Sequence, residues 1–184
     1  MNSNDLKANL INLLKEVNCV KFGEFTLASG KKSDYYVDIK KATTNPKVLK
    51  AVAKLTAKLC EEFKENEEYE NLKVAGVELG SVSIATAVSL ELEKDLLIVR
   101  KKAKSYGTKN KIEGELNPND NVIVMEDVTT TGGSVLKAVE ELKEANANVK
   151  AVFVIVDRLD GADELMKENN VRFIPLVKVN ELKD

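Results

Sequence analysis

One stretch of the chain concentrates residue types that could do chemistry: VIVMEDVTTTGGS, from Val122 to Ser134. Its apolar, strand-forming residues end in two adjacent carboxylates, and three threonines and two glycines follow before a helical pattern begins. Glycines let the backbone approach a ligand closely, hydroxyls donate to anions, and the unpaired amides of a helix start favour negative charge. The carboxylates would repel an anion but can accept hydrogen bonds from two neighbouring hydroxyls. The stretch therefore predicts a ligand with a phosphate at one end and a diol at the other.

Within this stretch, we expect Glu126 and Asp127 to accept hydrogen bonds from a ribose-type diol and to favour a nearby Mg²⁺. The phosphate would lie on the loop that follows, formed by Thr129, Thr130, Thr131, Gly132, Gly133 and Ser134. No lysine stands at the G-K-S/T position of a P-loop and G-x-G-x-x-G is absent, which favours a monophosphate over a nucleoside triphosphate or a dinucleotide. The alternative is an ordinary strand end with an Asp N-cap and a Thr/Gly turn, which leaves the combined order unexplained.

Composition limits the chemistry and the partners. The 184 residues, 43% of them hydrophobic and 32% charged, suit one globular domain. A net charge of −2 gives no case for binding nucleic acid or an anionic membrane. We expect no signal peptide and no membrane span, because no apolar run approaches roughly 18 residues, and hence a cytoplasmic protein. Histidine is absent and Cys19 and Cys60 are far apart, so a metal would need oxygen ligands, which favours Mg²⁺.

Apolar periodicity predicts the elements that must position these residues. We expect a first helix over 5–17 capped by Asn4 or Asp5, a hairpin over 20–40, and an amphipathic helix from Pro46 to Phe63. Short apolar strands then alternate with helices, at 72–77, 96–100, 121–127, 150–157 and 171–176 for the strands and 82–93, 133–145 and 161–169 for the helices. This alternation predicts an α/β fold with a mostly parallel sheet covered by helices on both faces.

Residues 101–115, KKAKSYGTKNKIEGE, break this rhythm because they are basic and have no period. A loop of this length in a compact domain is usually functional or disordered. A solvated basic loop is the plain alternative, and a nucleic-acid patch is disfavoured because Tyr106 is the only aromatic residue in the segment. The position of the loop directly after a strand favours a role in catalysis.

VIVMEDVTTTGGS resembles the motif with which type I phosphoribosyltransferases bind 5-phosphoribosyl 1-pyrophosphate (PRPP), in the version of the orotate-specific members. Three further segments resemble that subfamily in the same order: FTLASGKKSDYYVDIK at 25–40, VRKKAKSYGTKNKIEGEL at 99–116 and VDRLDG at 156–161. The resemblance implies a single domain over 1–184, with an N-terminal hood over about 1–40 and a mobile catalytic loop over 101–115. It also implies transfer of a phosphoribosyl group from PRPP to orotate in pyrimidine biosynthesis.

The resemblance also implies residue roles, with Lys101, Lys104 and Asp127 catalytic. PRPP would be bound by Arg100, Lys101, Lys104, Tyr106, Glu126, Asp127, Val128, Thr129, Thr130, Thr131, Gly132, Gly133 and Ser134, and orotate by Thr130, Arg158, Tyr35 and Tyr36. Mg²⁺ would be bound mainly through PRPP, and the family works as homodimers with shared active sites. Arg158 could instead be a surface residue that caps a helix, and the tyrosines ordinary hairpin core.

The chain departs from the family pattern at several positions. Tyr106 replaces a histidine that many members have. With a reference pKa of about 10, a tyrosine keeps its proton near neutral pH, so it can donate a hydrogen bond but cannot release and regain a proton as a histidine can. Ala28 stands where some members have a basic residue. The loop GVELGSVSIA at 76–85, which the resemblance implies is a second loop on the pyrophosphate side, has fewer glycines than in many relatives.

Two other functions are compatible with the same fold. One is a phosphoribosyltransferase for another base, which the SGKKSDYY segment and Arg158 disfavour. The other is a non-catalytic regulator that senses PRPP or a nucleotide, which would not need the lysines of the 101–115 loop.

Overall fold

The computed structural model describes residues 1–26, 32–61, 69–101 and 111–183. Its centre is a six-stranded sheet with the strand order β5-β4-β3-β6-β7-β8. These strands are β3 (Leu72–Val77), β4 (Leu96–Val99), β5 (Ile112–Glu113), β6 (Asn121–Thr129), β7 (Asn148–Asp157) and β8 (Phe173–Lys178). All neighbouring pairs are parallel except β4 and β5. The predicted α/β fold with a mostly parallel sheet is therefore confirmed.

Helices cover both faces of this sheet, as its continuous apolar strands require. The helices are α1 (Ser3–Glu16), α2 (Ile39–Thr43), α3 (Pro46–Leu59), α4 (Val82–Leu92), α5 (Gly133–Glu144) and α6 (Ala162–Glu168), and a short 3-10 helix follows at Val179–Leu182. One apolar cluster joins α1, α3 and α4 to the sheet, and the other joins α5 and α6 to its opposite face. None of the described helices is both long and apolar enough to cross a membrane.

The N-terminal hairpin forms a separate sheet of two antiparallel strands, β1 (Val20–Thr26) and β2 (Lys32–Val37). The hairpin predicted over 20–40 is confirmed for its two strands, but it ends at Val37, because Ile39 and Lys40 belong to α2. Residues 27–31 between the strands lie outside the described residues. Side chains of β2 alternate between a half-buried face and an exposed face. This alternation decides which hairpin residues can reach the main domain.

Several predicted boundaries differ from the structure. The first helix begins at Ser3 and is capped by Asn2, whose side chain accepts from the Asp5 amide at 2.9 Å, so the expected cap at Asn4 or Asp5 is wrong. The helix from Pro46 ends at Leu59, earlier than the end expected at about residue 63, which lies outside the described residues. The short elements α2 and β5 were not predicted, because five and two residues carry too little periodicity.

Phe153 of β7 is fully buried in the apolar cluster under α1, α3 and α4, so its truncation tests the assigned core. Phe153→Ala should lower the free energy of unfolding by about 3–5 kcal/mol, because it leaves a cavity that a close-packed core cannot refill. Urea unfolding measures this loss. Phe22→Ala is the matched control, since Phe22 is 39% exposed on the hairpin, and should cost less than about 1 kcal/mol. Equal losses in the two variants would contradict the assigned core.

Candidate active site

The strand order brings the ends of β4, β3, β6 and β7 to one edge of the sheet, where ligands bind in open α/β folds. The turn after β3 carries Gly80 and Ser81, and the end of β6 carries Glu126 and Asp127. Arg158 follows β7 directly, next to the loop that leads into α5. Residues that are far apart in the sequence are thus brought together by parallel pairing.

Glu126 is a carboxyl group inside the protein, with only 7% of the residue exposed. The fully buried Ser81 donates its hydroxyl hydrogen to Glu126 Oε1 at 2.6 Å, and the Asp127 amide donates to the same oxygen at 3.0 Å. Burial, assisted by the neighbouring Asp127 carboxylate, raises the pKa of Glu126 to about 8, although the Ser81 hydroxyl opposes the shift. Near neutral pH, the carboxyl group is therefore largely protonated in the free protein.

Asp127 is half-buried and differs in environment from Glu126. Its Oδ1 accepts from the Val128 amide at 2.7 Å, which fixes the carboxylate beside the backbone at the end of β6. A Cβ at position 80 would collide with the Asp127 carboxylate, so Gly80 leaves the space that this side chain occupies. The two acidic side chains are therefore positioned differently: Glu126 by the Ser81 hydroxyl, and Asp127 in the space that Gly80 leaves.

The loop after the acidic pair is shaped to bind an anion. Gly132 has a φ of +81°, a left-handed conformation that favours glycine, and no side chain caps the start of α5. A cavity of about 70 Å³ is lined by Glu126 and by residues 128–135. Thr130, Thr131 and Ser134 are exposed beside the unpaired amides of α5. The helix start and these hydroxyls together can hold a phosphate.

Thr129 has a different environment from the other hydroxyl residues of this loop. Its hydroxyl, which we expected to donate to phosphate, donates to Asp157 Oδ1 at 3.1 Å instead. The same carboxylate oxygen accepts from the Leu159 amide at 3.1 Å, and the Thr129 carbonyl accepts from the Arg158 amide at 3.0 Å. Thr129 therefore joins the loop 129–134 to the segment after β7, and its contact with PRPP stays a prediction.

Arg158 lies against the hairpin. Its Nε donates to the hydroxyl oxygen of Tyr35 at 3.2 Å, and its guanidinium carbon is 5.1 Å from the centre of the Tyr35 ring. Tyr36 is on the other face of β2, is 47% exposed and stacks near Phe25. The structure brings Tyr35 and Arg158 together and places Tyr36 away from them, so base binding by Tyr36 stays a prediction.

The basic residues after β4 are partly described. Arg100 forms ion pairs with Glu113 at 3.3 Å and Glu78 at 4.0 Å, and the Lys101 amide donates to Glu78 Oε1 at 2.7 Å. Lys101 itself is exposed. Lys104 and Tyr106 of the predicted catalytic loop, like Ala28 of the hairpin turn, lie outside the described residues.

The oxygen ligands available at this edge determine how Mg²⁺ could be bound. Among the described residues, no group of three or more acidic or cysteine side chains could hold a metal ion alone. The carboxylates of Glu126 and Asp127 suit Mg²⁺ chemically, since it prefers oxygen ligands. Two carboxylates leave most of an octahedral shell to be filled by water and by a bound ligand, so the site fits Mg²⁺ that arrives with a phosphorylated ligand.

Sequence reasoning missed Ser81, Asp157 and Glu78. Ser81 and Glu78 lie in the 76–85 loop, which the resemblance places on the pyrophosphate side but without a role for either side chain, and Asp157 was part of the VDRLDG segment without a role. Each acts through a hydrogen bond to a residue at least 20 positions away, to Glu126, Thr129 and Lys101 respectively. Their presence at strand ends was the only available signal.

Known phosphoribosyltransferases are similar to this chain over most of its length. A family model described as "Phosphoribosyl transferase domain" matches residues 38–181. The orotate phosphoribosyltransferase of Methanococcus maripaludis is 72% identical, over 96% of this chain and 94% of the relative. A crystal structure of Mycobacterium tuberculosis orotate phosphoribosyltransferase with Fe(III) dicitrate has a TM-score of 0.81 at 30% identity, covering 97% of this chain and 99% of that one. A structure of the same enzyme with PRPP has a TM-score of 0.77 at 27% identity, covering 96% and 98%.

The buried Glu126 predicts a pH dependence of stability. The pKa of Glu126 rises from 4.5 to about 8 on folding. Between pH 4.5 and about 8, the folded protein therefore keeps a proton on Glu126 that the unfolded chain has released. This contribution to stability is complete below pH 4.5 and is lost as the pH rises through about 8. Urea unfolding at several pH values should show the wild-type free energy of unfolding falling relative to Glu126→Gln, by at most about 1.4 kcal/mol per pH unit.

The control for this measurement is Glu144→Gln, which changes an exposed glutamate at the end of α5. Its pH dependence should match that of the wild type. A Glu126→Gln variant with the wild-type slope between pH 5 and 8 would contradict a protonated Glu126.

Proposed function

The chain belongs to the phosphoribosyltransferase family, and within it to the orotate phosphoribosyltransferases, and we propose that it transfers the phosphoribosyl group of PRPP to orotate. The products are orotidine 5′-monophosphate and pyrophosphate, in the biosynthesis of pyrimidines. The observation that carries the proposal is the edge formed by β6 and β7, where the acidic pair, the uncapped start of α5 and Arg158 lie together. We further propose that residues 1–184 act as one domain, with the hairpin as a hood over this edge.

The acidic pair and the loop after it bind the two ends of the sugar phosphate in this proposal. Glu126 and Asp127 accept hydrogen bonds from the ribose hydroxyls, and the amides and hydroxyls of 130–134 hold the 5′-phosphate. Val128 contributes through its backbone, since its side chain packs against the core. Because the carboxylates meet the diol and the helix start meets the phosphate, no like charges are opposed.

Orotate carries a carboxylate on a flat ring, and Arg158 is the cation that would receive it. A guanidinium can bind a carboxylate with two parallel hydrogen bonds, which gives both strength and orientation. Thr130 is exposed at the mouth of the phosphate loop and would contact the ring. Tyr35 and Tyr36 belong to the hairpin that approaches the base, and the position of Tyr35 against Arg158 supports its place in this group.

The transfer displaces pyrophosphate at the anomeric carbon of the ribose. Positive charge develops on the sugar, where the Asp127 carboxylate stabilises it, and negative charge develops on the leaving pyrophosphate. Arg100, Lys101 and Lys104 would stabilise that negative charge, and Tyr106 could donate a hydrogen bond to it. Closure of the 101–115 loop would exclude water, which would otherwise hydrolyse the activated sugar.

Mg²⁺ bound with PRPP would neutralise part of the pyrophosphate charge as that group departs. PRPP would supply most of its ligands, with the Asp127 carboxylate favouring it by charge and Glu126 offering a further oxygen. We also propose a homodimer in which Lys101 and Lys104 reach the active site of the neighbouring subunit; the exposed side chain of Lys101 is compatible with this. A cytoplasmic location stays a prediction.

The direct test of this function is a spectroscopic assay of base consumption by the purified protein with PRPP and Mg²⁺. We expect orotate to be consumed and uracil and adenine to be left, because only orotate offers a carboxylate to Arg158. Turnover of uracil or adenine in place of orotate would establish a transferase for another base. Binding of PRPP without turnover of any base would indicate a regulator.

Substitutions at the two sides of the site should identify the catalytic groups. Lys101→Ala and Asp127→Asn should each lower turnover by about 10²-fold or more, since each removes a charge that stabilises the transition state. Lys50→Ala, which removes an exposed lysine of α3, should retain wild-type turnover. Steady-state orotate consumption measures all three, and wild-type turnover of Lys101→Ala would refute the role of the loop.

Mixing the two inactive variants tests the shared site. If loop and acidic pair come from different subunits, a mixed dimer contains one site with both native residues, so partial activity should return. A mixture that exchanges subunits and stays inactive would contradict this arrangement.

A further inference from the structure

Tyr35 contacts the main chain and the side chain of Arg158 at the same time. The Tyr35 hydroxyl donates its hydrogen to the Arg158 carbonyl at 3.2 Å and accepts from Arg158 Nε at 3.2 Å. The guanidinium carbon also lies 5.1 Å from the ring centre, within the range of a cation–π interaction. The donor and the acceptor function of one phenol are therefore both used on a single arginine.

These contacts leave a defined part of the guanidinium for a ligand. Among the described residues, its only other charged partner is Asp160, whose Oδ2 lies 3.6 Å from Nε. Both partners therefore approach Nε, while the hydrogen-bonding edge formed by the two Nη atoms is not used by either. The Arg158 side chain is 17% exposed, so part of it is open to solvent.

The hairpin determines the direction from which Tyr35 approaches. Tyr35 is on the half-buried face of β2, and the Ser33 hydroxyl donates to its carbonyl at 2.7 Å. The Phe22 ring packs against it with a centroid distance of 6.2 Å. The adjacent Tyr36 faces the other way, so β2 presents one tyrosine to Arg158 and one to solvent.

We propose that Tyr35 is a positioning residue for acceptor specificity: its hydroxyl orients the Arg158 guanidinium so that the two Nη atoms face the carboxylate of the acceptor base. Tyr35 then acts through Arg158, and direct contact with the base is not its main role. This inference rests on the proposed function, because it needs Arg158 to receive the carboxylate. It explains why the hydroxyl, and not only the ring, is directed at this arginine.

The test compares the binding of two nucleotides that differ only in the carboxylate. Orotidine 5′-monophosphate carries it and uridine 5′-monophosphate does not, so the ratio of their dissociation constants measures carboxylate recognition in the complete protein. Titration calorimetry of Tyr35→Phe should show this ratio reduced about two- to tenfold, the usual effect of one hydrogen bond. Binding of uridine 5′-monophosphate should stay within about twofold of wild type, because the ring and the fold are kept.

Tyr69→Phe is the matched control, since it removes the same group from a tyrosine outside the proposed site, whose hydroxyl donates to the Leu92 carbonyl at 3.4 Å. It should leave the ratio unchanged. An equal reduction in both variants, or a Tyr35→Phe variant that loses affinity for both nucleotides alike, would indicate a general effect on the protein and overturn the inference.

Arg158→Gln separates this inference from the proposed function. It should reduce the ratio about tenfold or more, and adding Tyr35→Phe should reduce it no further, because Tyr35 acts through Arg158. If Arg158→Gln leaves the ratio unchanged, the proposed orotate site is wrong. If Arg158→Gln reduces the ratio but Tyr35→Phe alone leaves it unchanged, the positioning role is wrong and the proposed function stands. The same conclusion follows if Tyr35→Phe reduces the ratio as much in the Arg158→Gln variant as in the wild type.

Discussion

The parallel pairing of β6 with both β3 and β7 is the constraint on which the rest of the structure depends. Because the three strands run in the same direction, their carboxyl ends deliver three turns to a single edge. The turn after β3 brings a hydroxyl, the end of β6 brings two carboxylates, and the turn after β7 brings a guanidinium. No one of these segments could form the site alone, since each supplies one kind of group.

A series of hydrogen bonds crosses this edge from one strand end to the next. Ser81 donates to Glu126, Thr129 donates to Asp157, and Arg158 donates to Tyr35 of the hairpin. The side proposed for the leaving pyrophosphate is thereby joined to the side proposed for the base. Burying a carboxyl group costs free energy unless it is protonated or well paired. Glu126 is buried and flanked by Asp127, which raises its pKa to about 8, so it is held largely in the protonated form where a diol would bind.

The sequence predicted the layers of the fold better than the contacts within the site. Continuous runs of valine and isoleucine identify β3, β6 and β7 with little ambiguity, because a strand buried on both faces has no polar positions. The acidic pair and the glycine loop were identified from local order alone. The Ser81–Glu126 and Thr129–Asp157 bonds could not be predicted, because they depend on strand order and register. The bond of the Thr129 hydroxyl to Asp157, 28 residues away, was not foreseen for the same reason, and the contact of Thr129 with PRPP stays a prediction.

The central claim is that one edge of the sheet binds the phosphate and the base of the same nucleotide. The most direct measurement is a crystal structure of the protein with orotidine 5′-monophosphate. We predict that the 5′-phosphate accepts hydrogen bonds from the amides of 130–134, that Glu126 and Asp127 contact the ribose hydroxyls, and that the base carboxylate contacts Arg158. A phosphate bound beside Arg100 and Lys101, or a base carboxylate that makes no contact with Arg158, would contradict the account.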